Sequence, residues 1–213
     1  NKQNKPFFSS STHPFPEMAA TLLDLFANRL TVSLSARQSS ELSRLVSGAR
    51  EAGGFLIGDL PTLEQILTLA SERTLDGTHP FGAQICELLD VANEPFKEAR
   101  ANEAIVAAAS IGSFICAVAD LVVRFAGRDV SVQLAAAEVL CRFAAESSCE
   151  LVERSGAAAI LVKALRLEVE ALGPHPSFLL GSLVDVLGEV ASFGEGALGL
   201  AVSGALPLVV DIL

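Results

Sequence analysis

The side chains able to do chemistry are few, and their spacing is poor for it. His13, His79 and His175 each precede a proline, which puts them at turns or helix starts, far apart along the chain. A zinc or acid–base site needs such groups gathered on one face, and no H-E-x-x-H, G-x-S-x-G or P-loop sequence occurs. Cys86, Cys116, Cys141 and Cys149 never form C-x-x-C. Each falls in a stretch of helical spacing and reads as a buried free thiol, which favours an intracellular location. One motif matches literally: Gly194-Glu195-Gly196-Ala197-Leu198-Gly199 is G-x-G-x-x-G. Dinucleotide binding needs a strand before that loop and an acidic residue about 20 positions after it. Here Leu179 to Phe193 has helical spacing and no such acid follows, so the segment reads as a glycine-rich corner between helices. The expectation is a protein that is not an enzyme, with no catalytic residues, no metal ligands and no cofactor.

Charge narrows the classes further. Fifteen basic against 25 acidic residues give a net charge of −10, with neither Trp nor Tyr, whereas phosphate neutralisation needs a concentrated basic face. Nucleic acid is therefore not an expected partner. The longest uncharged stretch, Ala104 to Ala119, is 16 residues, short of the roughly 20 needed to span a bilayer, and the N-terminus lacks a charged-then-apolar leader pattern.

The elements that would have to position any site are helical. In 213 residues that are 51% apolar, Phe is the only aromatic and Ala, Leu and Val dominate, a composition that favours helix over sheet. The clearest stretch is Asp129 to Leu165. Val132, Ala136, Val139, Leu140 and Phe143 recur at the spacing of one buried helix face. Asp129 is placed to cap the run, because its carboxylate can accept from the free amides of the first turn. Glu138 and Arg142 fall on another face, four apart with the acid first, which predicts an intrahelical ion pair. Cys149 to Arg154 spells a helix of barely two turns, and Gly156 permits the backbone geometry that stops it. Ala157 to Leu165 then restarts with Ile160, Leu161, Ala164 and Leu165 inward. A two-turn helix is marginal alone, so this unit has to pack against neighbours.

These residues resemble the armadillo repeat: a long helix ending in Ala136, Leu140, Phe143 and Ala144, a short helix, then Gly156-Ala157, Leu161-Val162 and Leu165. The punctuation recurs, as a repeat requires. Gly204-Ala205-Leu206-Pro207 echoes Gly156-Ala157-Ala158-Ala159 at an offset of 48, and Gly112 with Val118 and Leu121 echoes Gly156 with Val162 and Leu165 at an offset of 44. His79-Pro80 and His175-Pro176 stand 96 apart, twice that period, and Gly127 is their midpoint. The resemblance implies an all-α, right-handed α-solenoid of three-helix repeats, with two-helix HEAT-like repeats as the alternative.

Taken in order, residues 1–16 hold three prolines and no helical period and read as a flexible arm. Residues 17–78 read as an N-terminal cap or irregular repeats, with helices over Glu17 to Leu30, Ser35 to Ala52 and Pro61 to Arg73. Residues 79–213 read as repeats at 79–126, 127–173 and 174–213. In the first of these, Pro80 to Ala92 is followed by helices over Phe96 to Ser110 and Gly112 to Arg124. The start at Asn and the end at Leu213 inside an apolar run suggest a piece of something longer, with further repeats or a partner at the C-terminal end.

In armadillo proteins the long third helix of each unit lines a concave groove that holds peptides, often through Trp and Asn four residues apart. By this resemblance those positions fall at Glu138 and Arg142, at Asp185 and Glu189, and at Cys86 and Asp90. This chain thus departs from the importin-like pattern, and the nuclear-signal function of those members does not transfer. What remains is a strip of Asp90, Glu138, Asp185 and Glu189, with Arg142 the exception. The favoured function is a scaffold or adaptor that accepts a peptide or helix, with basic residues matching the strip. For the strip itself the alternative is an ordinary solvated helix face; for the function, the alternatives are a structural segment of a larger assembly docked through its C-terminal end, and a regulatory module of an enzyme whose chemistry lies elsewhere.

Overall fold

The computed structural model describes residues 19–20, 23–24, 36–51, 57–72, 81–92, 104–144, 156–172, 177–192, 196–205 and 207–208. The expected arm, most of the helix at 17–30, the corner at Gly53-Gly54, His79, the short helix at 149–154 with Cys149, and the corner at 173–176 lie outside them. The described residues form helices and turns, with no strand among them. In chain order the helices are α1 (Ala36–Glu51), a 3-10 turn (Ile57–Asp59), α2 (Leu60–Glu72), α3 (Gly82–Ala92), α4 (Ala104–Arg124), α5 (Val130–Phe143), α6 (Ala157–Leu172), α7 (Phe178–Ser192) and α8 (Gly196–Ser203).

They stack in two layers. One layer runs α1, α3, α5, α7, each packed on the next; the other runs α2, α4, α6, α8; and α2–α3, α4–α5, α6–α7 and α7–α8 pack across. This neighbour-to-neighbour order is the signature of a solenoid, in which each unit buries its apolar face only against those before and after it. The all-α solenoid expected from the sequence is the observed fold. At the C-terminal end the order long helix (α7), short helix (α8), Gly204, new helical start (Ala205) is visible.

The best-patterned stretch behaves as its spacing dictates. Val132, Ala136, Val139, Leu140 and Phe143 of α5 are all buried. Asp129, in extended backbone at φ −144 and ψ 97, accepts from the amides of Ser131 and Val132 at 3.0 and 3.3 Å. A Cβ on Gly82 would overlap that Asp129 carboxylate, so the start of α3 lies flush against the cap of α5. Replacing Asp129 by alanine removes both acceptor contacts and is expected to cost about 1 kcal/mol, read as a lower urea midpoint at unchanged slope; an unchanged midpoint would show the cap to be idle. Ser177 repeats the device 48 residues on, its Oγ accepting from Leu180 N at 3.0 Å.

Gly127, Gly156 and Gly204, the glycines marking the repeat period, have positive φ of 68, 81 and 83, where an L side chain costs about 1–2 kcal/mol. Gly127 and Gly204 let the chain leave one helix and turn into the next, and Gly156 stands just before the start of α6. Gly112 does not. The expected break there is absent, and α4 runs unbroken from Ala104 to Arg124. A lone helical glycine costs only about 1 kcal/mol, and the continuous seam of Phe114, Ile115, Val118, Ala119, Leu121 and Val122, all buried, outweighs it.

A second correction concerns Gly196 to Gly199, expected as part of an inter-helix corner. They form the first turn of α8. Gly196 is buried against α7, where a Cβ would overlap the Val190 carbonyl, so glycine here serves close approach rather than a loop.

Candidate functional site

Chemistry is scarce in the structure. No three His, Cys, Asp or Glu side chains among the described residues are grouped to hold a metal ion, and no described helix is long and apolar enough to cross a membrane. Cys86, Cys116 and Cys141 are free and half-buried. Burial pushes all three thiols above their ordinary value, with Asp129 adding at Cys86, Asp120 at Cys116 and Asp185 at Cys141. Each therefore stays protonated at neutral pH and is a poor nucleophile.

Below pH 9.0, the ordinary thiol value, folded and unfolded chains hold the same protons; above it the unfolded chain releases protons that the folded chain keeps. Stability should thus fall as pH rises past that value. Urea unfolding of wild type and Cys141→Ala between about pH 8 and 10 tests this, the variant being expected to show the shallower fall.

The layer α3, α5, α7 carries the predicted strip. An open groove of about 450 Å³ between α3 and α5 is lined by Cys86, Glu87, Leu89 and Asp90 on one side and Ser131, Leu134, Ala135 and Glu138 on the other. A second, of about 510 Å³ between α5 and α7, is lined by Cys141 with Val184, Asp185, Gly188 and Glu189. A third hollow of about 410 Å³ sits beside Phe178, Gly181, Ser182 and Asp185. Those four residues lie 47 after Ser131, Leu134, Ala135 and Glu138, so one surface is repeated on successive helices.

Burial fixes the register. Leu88 to Ala92 run buried, buried, exposed, buried, buried around Asp90; Ala136 to Leu140 do the same around Glu138; and Asp185 is the exposed residue between Leu183 and Leu187 on α7. Asp90, Glu138 and Asp185 are therefore equivalent rungs. Sequence matching had set Asp90 level with Arg142 instead.

The charges differ in how they are satisfied. Asp90 is ion-paired with Arg50 of α1, and Glu87 beside it accepts from Ser43 at 3.2 Å. Arg124 pairs with Glu72 and with Asp120. No described cation pairs with Glu138, Asp185 or Glu189. The expected Glu138–Arg142 pair does not form. Arg142 instead donates from Nη2 to the Ala92 carbonyl at 2.6 Å, with its guanidinium 4.7 Å from the Phe143 ring centroid. There it meets the negative end of α3 and an aromatic face, both better partners for a half-buried cation than an exposed carboxylate.

Two features escaped the sequence reading. Gln133 is 3% exposed and donates from Nε2 to the Val122 carbonyl at 2.9 Å, satisfying the end of α4; a polar residue within an apolar series was the available signal. Phe178 is 90% exposed at the edge of the third hollow, and its place in the first turn after the Ser177 cap, outside the buried series of α7, marks it as facing outward.

Residues 18–172 match the family described as cilia- and flagella-associated protein 69, ARM repeat. No curated protein matches the chain.

Proposed function

The chain belongs to the ARM-repeat family of cilia- and flagella-associated protein 69, and from that premise we propose that it is a non-enzymatic scaffold whose α3–α5–α7 layer binds a basic segment of a partner protein. The observation carrying this reading is the recurrence of one exposed carboxylate at equivalent positions of three neighbouring helices, beside grooves floored by Leu134, Ala135 and Val184. Basic side chains supply the complementary charge and their stems cover the apolar floor. Glu138, Asp185 and Glu189 contact the partner directly, Asp90 stands at the end of the strip paired with Arg50, and Arg142 holds α5 against the end of α3. The family's name refers to cilia and flagella, and we place the partner in an assembly of that kind.

A second reading has its own observation. On α8, Leu198 and Val202 are 69% and 82% exposed and lie four apart, on one side of the helix, as a surface meant to be covered would be. Affinity capture with the full-length protein, wild type against Asp185→Lys/Glu189→Lys, separates the two. A partner lost on charge reversal supports the groove; a partner retained at wild-type yield supports docking through α8.

A further inference from the structure

The rungs of the carboxylate ladder are built alike, yet among the described residues only the first is filled from within the protein. Arg50 lies in the last turn of α1, where its charge also suits the helix dipole, and its Nη2 reaches the Asp90 carboxylate on the next helix of the same layer. Among the described residues, neither of the helices before Glu138 and Asp185 supplies the same cation. α3 contains no Lys or Arg, and the one cation of α5, Arg142, is turned to the Ala92 carbonyl.

We infer that Arg50 is an internal stand-in for an arginine of the partner, closing the Asp90 rung so that the bound segment presents its guanidinium groups to Glu138 and Asp185. This inference rests on the groove reading proposed above and adds where the groove ends and which cation it takes. Guanidinium suits the rung because it meets a carboxylate with two parallel donors, whereas an ammonium acts as a point charge. The spacing of the cations follows from the fold. Neighbouring packed helices lie about 8–10 Å apart, and an extended polyproline-like chain advances about 3.1 Å per residue, so basic residues at every third position would meet successive rungs.

The pair is surface-exposed, with side chains 51% and 64% accessible, so Arg50 is a weak competitor that a multivalent partner can live with but would bind better without. The test titrates the full-length protein with a fluorescein-labelled (Arg-Ala-Pro)3 peptide, following anisotropy at several salt concentrations. Arg50→Ser is expected to tighten binding about two- to fivefold, the range of one exposed ion pair, and to steepen the salt dependence. Arg50→Ser/Asp90→Asn should return both to the wild-type level. The inference is overturned if Arg50→Ser leaves affinity unchanged or weakens it while Glu138→Gln/Asp185→Asn still weakens binding. If the peptide does not bind, or binds regardless of Glu138→Gln/Asp185→Asn, the groove reading itself has failed and this inference goes with it.

Discussion

Phe114→Ala is expected to cost about 3–5 kcal/mol, the range for emptying a fully buried aromatic site. Phe114 has no exposed surface and meets Phe143 edge to face, with ring centroids 6.1 Å apart and planes at 61°. It therefore lies where α4 of one layer packs on α5 of the other. The loss is a large part of the roughly 5–15 kcal/mol that typically separates folded from unfolded chains. A solenoid adds a further consequence. Because each unit is held mainly by its neighbours, weakening the α4–α5 contact should also split the unfolding of the helices before it from those after it. Urea denaturation followed by far-UV circular dichroism should show an earlier and broader transition. A single transition at the wild-type midpoint would mean that the layers are not joined there.

Asp185→Lys/Glu189→Lys is expected to weaken partner binding by at least about tenfold at low salt while leaving the fold intact. Both side chains are exposed and no described cation pairs with either, so reversing them breaks no intramolecular ion pair among the described residues. Against a basic segment the change replaces two attractions by two repulsions, and like charges brought together across an interface are strongly unfavourable. The effect should shrink as salt rises, because exposed charges are screened within about 8 Å at physiological ionic strength. A loss of binding that persists undiminished in high salt would point to a distorted surface rather than to charge.

How far the sequence spoke depended on the kind of signal. Where apolar periodicity and a cap agreed, as at Asp129 and the Val132-to-Phe143 series, helix, buried face and N-cap were all legible. The glycine punctuation was legible because it reports backbone geometry: Gly156 and Gly204 of the Gly-Ala starts, and Gly127 at the midpoint of the His-Pro pairs, are the positive-φ glycines of the described residues. Gly112 misled because glycine also occurs inside helices when a long apolar seam carries it. α8 was missed because its GALGLAVS sequence is apolar on all sides and so has no periodicity to detect. At the site, the carboxylates could be picked from helix register, but the level of Asp90 needed the burial pattern of α3. Arg50 opposite Asp90 and Arg142 under α3 are contacts between residues 40 and 50 apart, which local spacing cannot reveal.

The central claim is that a partner lies along the α3–α5–α7 layer, and a photo-cross-linker placed on either candidate surface tests it most directly. Benzoylphenylalanine replaces Phe178, which is 90% exposed beside Asp185, in one full-length variant and Val202 of α8 in another. The account predicts that position 178 captures a protein that the Asp185→Lys/Glu189→Lys variant fails to bind, and that position 202 does not. Capture of that protein from position 202 with none from position 178 would contradict it.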